Sequence, residues 1–174
     1  MKLIVVPELA WPRLTAACDR GEALPSPIAH AGAIAAISAV ATLIGSALRA
    51  GATVGNVTIA VLAAIAGYVG SAALAVTLLP RLIEAPEAFK HLVPRFASAA
   101  VLPVVAGGVV NIIPLAVISV MAVAVSAALT YRSGSLGARD FLGMEGAQRK
   151  HAATLTTVVS TLPALLAALF RAAR

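Results

Sequence analysis

Residues 57–79 read VTIAVLAAIAGYVGSAALAVTLL, an apolar stretch of 23 residues without Asp, Glu, Lys or Arg. About 20 consecutive apolar residues, wound as an α-helix, cross the hydrocarbon core of a bilayer. The stretch is followed by Pro80 and Arg81, a helix breaker and a charge that prefers water. A transmembrane helix is therefore predicted here.

The composition extends this prediction to the whole chain. Of its 174 residues, 60% are hydrophobic and 11% are charged, and the mean hydropathy is +0.97. Soluble domains are about 45–50% apolar and about 25% charged, so the values argue against a soluble enzyme or a disordered chain. The net charge of +6 comes without a basic stripe interleaved with aromatic residues. No nucleic-acid partner is therefore expected.

Four further stretches have the same apolar character, so five transmembrane helices are predicted. The fold class is all-α, a polytopic membrane helical bundle, and its membrane domain covers residues 28–174. Residues 111–114, Asn-Ile-Ile-Pro, join the third and fourth spans as a tight antiparallel hairpin, because one continuous helix would overshoot a bilayer about 30 Å thick. The spans are predicted at residues 28–48, 57–79, 94–111, 114–131 and 152–170, with a polar, glycine-rich loop at 132–151.

Residues 1–27 form a lead that is too short in apolar residues to span a membrane. A short helix is predicted for residues 8–18. One face of this helix contains four residues at the spacing i, i+3, i+4 and i+7, which are Trp11, Leu14, Thr15 and Cys18. We expect this amphipathic helix to lie among the lipid headgroups at the cytoplasmic face, with Trp11 at the interface.

The distribution of positive charge predicts the orientation of the chain. Ten of the 13 Lys and Arg residues lie in the lead and in the loops after the second and fourth spans. Such loops are cytoplasmic by the positive-inside rule. The N-terminus is therefore expected in the cytoplasm and the C-terminus outside. All seven carboxylates fall on the cytoplasmic side as well.

Small, polar and helix-breaking residues inside the spans are candidates for helix packing or for a cavity. Gly67 and Ser71 belong to a stripe of small residues at four-residue spacing, which lets two helices approach closely in lipid. Tyr68 is expected to hydrogen-bond a neighbouring helix, and Asn111 is expected to cap the hairpin turn. The two prolines kink their helices, either for packing or to frame a cavity. The candidates are Gly67, Tyr68, Ser71, Pro103, Gly107, Gly108, Asn111 and Pro163.

No predicted span contains an Asp, Glu, Lys or Arg residue. Ionisable residues inside a membrane mark proton pathways and catalytic groups, so ion-coupled transport and intramembrane catalysis are not expected. The three His and the single Cys are far apart in sequence, so no metal site or cofactor is predicted. We expect the protein not to be an enzyme. A cytoplasmic-face enzyme would depend on the histidines and on Glu84, Glu87, Asp140 and Glu145.

Several motifs in the second half of the chain resemble a known family. They are RFASAAVLP at residues 95–103, Gly107-Gly108, Ile-Ile-Pro at 112–114 and GMEGAQRKHAA at 143–153. With five spans and the short lead, they resemble the bacterial branch of the Yip1 family of membrane proteins. The resemblance implies a bacterial cytoplasmic (inner) membrane location. Eukaryotic members contact Rab-type GTPases and carry an Asp-Leu-Tyr-Gly-Pro motif, which this sequence lacks, so a GTPase partner is not implied.

These features predict a non-enzymatic integral membrane scaffold or accessory subunit. Its expected partners are membrane lipids and either other membrane proteins or further copies of the chain. A small transporter, channel or lipid-handling protein is the alternative, with its cavity framed by the kinked helices.

Overall fold

Helices form all the regular structure in the parts of the chain described by the computed structural model, residues 7–21 and 27–172. Much of the predicted lead, residues 1–6 and 22–26, lies outside the described residues. In chain order the α-helices are α1 (Pro7–Asp19), α2 (Pro27–Ala47), α3 (Val54–Leu82), α4 (Val93–Ala100), α5 (Leu102–Gly107), α6 (Ala116–Asp140) and α7 (Gly146–Ala172). Short 3-10 helices cover Glu87–Leu92 and Gly108–Ile112.

Four segments are long and apolar enough to cross a membrane. They are α3, α7, the greater part of α6 and the stretch Glu87–Ile112, which contains α4, α5 and both 3-10 helices. We call Glu87–Ile112 the central segment. Helix α2 is a further apolar helix of 21 residues. The protein is thus an all-helical bundle with the dimensions of a membrane protein.

Polarity inside the bundle is the reverse of that in a soluble protein. Large apolar side chains of α2, α3, α6 and α7 point outward, while small hydroxyl-bearing side chains are buried between the helices. Lipid tails are as apolar as leucine, so outward leucines carry no penalty and small residues allow close helix contact. The buried hydroxyl residues of these four helices are Ser38, Thr42, Ser71, Ser119, Ser126, Thr130, Ser133, Thr156 and Ser160.

The central segment forms the core of the bundle. Its most apolar stretch is 67% buried, against 28% for α3 and for α7, and residues 96–105 are buried without interruption. It contacts α2, α3 and α6, while α3 also packs on α2 and α7, and α7 packs on α6. A helix that is apolar on all sides is stable where other helices enclose it.

The central segment is broken rather than straight. Helix α4 ends at Ala100, and α5 begins at Leu102 after the single intervening residue Val101. Pro103, which lacks a backbone N–H, lies in the first turn of α5. A proline is tolerated there because the first N–H groups of a helix have no partner within it. The segment then tightens to 3-10 geometry at Gly108. The predicted kink at Pro103 is therefore a junction between two short helices.

The loop predicted at residues 132–151 is largely helical. Helix α6 continues to Asp140 and α7 begins at Gly146, which leaves a connection of only five residues. Ser133 and Gly137, which belong to the predicted loop, instead contact α1. A Cβ added at Gly137 would lie 2.6 Å from the Trp11 ring, so only glycine admits the indole here.

Trp11 is fully buried at this contact rather than lying among headgroups. Its Nε1 donates a hydrogen bond to Ser133 Oγ (3.2 Å), and its ring centroid lies 5.6 Å from those of both Phe96 and Phe141. Nearby, Arg132 pairs with Glu8. The pKa of the Glu8 carboxyl lies below its ordinary value because the carboxylate accepts a backbone hydrogen bond and lies beside Arg132. Helix α1 is thus held to α6 by an aromatic cluster and an ion pair.

Replacing Trp11 with alanine is expected to release α1. Loss of a fully buried aromatic side chain costs about 3–5 kcal/mol. Trypsin cleavage after Arg13, which is exposed on α1, is therefore expected to accelerate by about 100-fold or more. Leu9→Ala is the control, because Leu9 is 57% exposed on the same helix. Equal cleavage rates for the two variants in detergent would contradict the role of Trp11.

Candidate functional site

The most polar part of the bundle interior centres on Asn111, at the end of the central segment. Its side chain is buried, and its Nδ2 donates hydrogen bonds to Thr42 Oγ1 of α2 and to Tyr68 Oη of α3, both at 3.1 Å. One amide thus connects three segments of the bundle. Tyr68 accordingly bonds a neighbouring element, as the sequence predicted, whereas Asn111 turns inward instead of capping the turn.

The hydrogen bonds continue along α2 toward the break in the central segment. Thr42 Oγ1 donates to the Ser38 carbonyl (2.9 Å), and Ser38 Oγ donates to the Val105 carbonyl (2.7 Å). Within the described residues, Asn111 Oδ1 is buried and has no hydrogen-bond partner. We call Ser38, Thr42, Tyr68 and Asn111 the polar network.

Two glycines allow the central segment to approach α2 and α3. A Cβ added at Gly45 of α2 would overlap the backbone oxygen of Asn111. A Cβ added at Gly108 would lie 2.6 Å from Ser38 Cβ and 2.7 Å from the Tyr68 ring. Gly45 was not among the predicted candidates. Ser38, Thr42 and Ser46 repeat at four-residue spacing next to Gly45, and this stripe of small residues is the sequence pattern that indicates a close helix contact here.

The predicted candidate residues do not form a single site. Tyr68, Gly108 and Asn111 lie together at the polar network. Gly67 belongs to the contact between α3 and α7, where an added Cβ would lie 2.6 Å from Ala167 Cβ and 3.3 Å from the Pro163 carbonyl oxygen.

The remaining candidates serve other contacts. Ser71 is buried and donates to the Gly67 carbonyl at 2.7 Å. A Cβ added at Gly107 would overlap Ser126 Oγ of α6. Pro103 is buried at the start of α5. These positions allow close helix packing.

A cavity of about 200 Å³ opens at the same end of the bundle as the Asn111 turn. The end of α2, the start of α3, the turn at Pro114 and the end of α7 enclose it. Two cationic side chains, Arg49 and Arg171, line it together with Asn56. The described carboxylates follow α3 or lie on α1 and around the connection between α6 and α7, which is the other end of the helices.

These groups are suited to hydrogen bonding and to charge pairing. The polar network consists of hydroxyl and amide groups, and the cavity carries permanent cations. Among the described residues, no three His, Cys, Asp or Glu side chains come together as a potential metal site.

No family model, no curated protein and no solved structure matches the chain. The resemblance to the Yip1 family therefore stays a prediction from the sequence motifs.

Gly45→Ala is expected to lower the free energy of unfolding by about 3 kcal/mol, because the methyl group would overlap main-chain atoms that have little freedom to move. Gly32 of the same helix is the matched control, since a Cβ there meets no atom within 4 Å. Gly32→Ala should leave stability unchanged or raise it by up to about 1 kcal/mol through helix propensity. Unfolding by sodium dodecyl sulfate, followed by circular dichroism, measures both. Equal stability of the two variants would exclude the close approach at Gly45.

Tyr68→Phe removes one acceptor of the Asn111 amide and is expected to cost about 0.5–1.5 kcal/mol of stability. Tyr131, the second of the two tyrosines in the chain, provides the control because it is 42% exposed. Tyr131→Phe is expected to change stability by less than about 0.5 kcal/mol. The same detergent unfolding assay compares them, and a larger loss at Tyr131 would refute the assignment.

Proposed function

We propose that the chain is a non-enzymatic integral membrane scaffold or accessory subunit that organises lipids or partner proteins. The observation that carries this proposal is the filled axis of the bundle. Residues 96–105 of the central segment are buried without interruption where a channel would need an open path. The outer surface and the two ends of the bundle are then the parts that meet other molecules.

The proposal includes five transmembrane helices, with α2 as the first. Arg49, Pro114 and Arg171 follow the first, third and fifth apolar segments, and all three line one cavity. Alternating crossings bring the ends of the odd-numbered spans to the same side. The positive-inside rule assigns that side to the exterior and the carboxylate-bearing end, with α1 docked on α6, to the cytoplasm.

The outward faces support a role in lateral contacts within the membrane. Exposed large apolar side chains follow four-residue spacing on α6 and on α7. Such stripes present a continuous apolar ridge to lipid or to another helix. They are Val117, Met121 and Val125 on α6 and Val158, Leu162 and Leu166 on α7. A bacterial inner-membrane location and membership of the Yip1 family remain part of this proposal, resting on the sequence motifs.

A lipid-handling or small transport protein is the second candidate. The cavity between Arg49 and Arg171 favours it, because a charged cavity at a helix end suits a polar ligand. The polar network close to it would provide the hydrogen-bonding groups along a path. This alternative requires the central segment to move, since its buried residues occupy the axis.

Cross-linking in native membranes, followed by release into lipid nanodiscs and native mass spectrometry, distinguishes the two. A scaffold is expected in a defined assembly with a mass larger than the 17.4 kDa of one chain. Liposomes that contain the protein are then expected to show no flux of protons, K⁺ or lipid above that of empty liposomes. A monomer that supports flux, with that flux abolished by Tyr68→Phe and retained in Tyr131→Phe, would replace the scaffold with the transport function.

A further inference from the structure

The cavity at the proposed outer end has the composition of an anion-binding site. Its volume of about 200 Å³ is well above the roughly 10–15 Å³ that one water molecule requires. That space accommodates a phosphate-sized group with some of its hydration. Its walls come from four separate parts of the chain, so the fold itself assembles it.

Two guanidinium groups face this cavity. Arg49 follows the end of α2 and is exposed, while Arg171 is half-buried in the last turn of α7. Both positive charges line the same cavity. Neither forms an ion pair with a carboxylate among the described residues.

A cation near a helix C-terminus is favourable in itself, because it meets the negative end of the helix dipole. That effect accounts for one positive charge on each helix. It does not account for two such charges directed into one cavity at an end of the bundle that carries no described carboxylate. An anion bound between Arg49 and Arg171 would neutralise both charges, and guanidinium groups bind phosphate through paired N–H donors.

The start of α3 adds donors to the same cavity. Thr53 caps this helix of 29 residues by accepting a hydrogen bond from the Asn56 backbone N–H at 3.3 Å. The Asn56 side chain lines the cavity, where its amide adds a neutral donor. The helix N-terminus contributes partial positive charge at this position. The two arginines, the Asn56 amide and the N-terminus of α3 thus all favour an anion in this cavity.

Apolar side chains contribute to the remaining walls. Val57, Ile59, Ala60 and Phe170 line the cavity as well, together with Ser46 and several small residues. A cavity that combines two cations with apolar side chains of α3 and α7 suits an anionic group that is attached to a lipid. The rim lies between the ends of apolar helices, which is the level of the headgroups in the proposed topology.

We propose that this cavity binds a phosphate group, held between Arg49 and Arg171 and supplied either by an anionic lipid headgroup or by free phosphate. The site stands on the two arginines and the cavity, and it does not require the scaffold role. A chain that forms no larger assembly can still bind phosphate, and a scaffold can lack this site, so the two proposals fail separately.

Calorimetric titration of the full chain in a maltoside detergent tests the proposal with three probes. They are dioctanoyl phosphatidylglycerol, sodium phosphate and dioctanoylglycerol, which has the same acyl chains and lacks the phosphate. Saturable binding of at least one phosphate-bearing probe is expected. The double variant Arg49→Gln/Arg171→Gln should weaken that binding by about tenfold or more.

The matched control is Arg13→Gln/Arg81→Gln, which removes two exposed cations from α1 and from the far end of α3. Its affinity should stay within about twofold of that of the unaltered protein, since neither residue lines the cavity. Binding of phosphatidylglycerol alone identifies a lipid headgroup, and competition by sodium phosphate identifies free phosphate. Either result supports the site.

A second variant separates binding from folding. Ala52→Trp fills the mouth of the cavity, where Ala52 is exposed, without changing the charge. It should also weaken binding by about tenfold while the helical circular dichroism spectrum is retained. The proposal is overturned if both the cavity-filled and the arginine-depleted variants bind as the unaltered protein does, or if dioctanoylglycerol binds as tightly as phosphatidylglycerol.

Discussion

The buried amide of Asn111 joins the end of the central segment to α2 and α3, and the packing of the bundle depends on this contact. It donates to Thr42 on α2 and to Tyr68 on α3, and so fixes the end of the central segment between these helices. In a hydrocarbon environment the alternative to such a bond is an unsatisfied polar group, which is unfavourable. Gly45 and Gly108 provide the space that the contact requires. The position of Pro114, and with it the cavity beside α7, follows from this arrangement.

The central segment explains why the surrounding helices have small residues on their inner faces and large apolar residues on their outer faces. Because a broken apolar segment fills the axis, the surrounding helices need only small inward residues and can direct their large apolar residues to lipid. Ser126 of α6 against Gly107 and Ala167 of α7 against Gly67 are two examples of contacts that leave no room for a larger side chain. The same packing leaves the ends and the outer surface of the bundle as the regions that other molecules can reach.

The apolar helices were predictable from the sequence because a long uncharged apolar stretch is unfavourable in water, and in a membrane it forms a helix. The helix predicted at residues 57–79 lies within Val54–Leu82, and the partner role of Tyr68 was also foreseen. The extension of α6 to Asp140 was not predictable, since Gly134 and Gly137 have the composition of a loop. The role of Gly137 depends on Trp11, and local patterns carry no information about a residue so distant in sequence. The inward turn of Asn111 likewise depends on the 3-10 geometry around it.

The contact between Trp11 and Ser133 has a consequence for the order in which the protein is assembled. The two residues are separated by 122 positions. At translation rates of about 5–20 residues per second, roughly 6–25 s pass between the synthesis of α1 and that of its docking face. Helix α1 is therefore made first but cannot dock before α6 has been synthesised, and the only tryptophan of the chain stays outside its buried position until then.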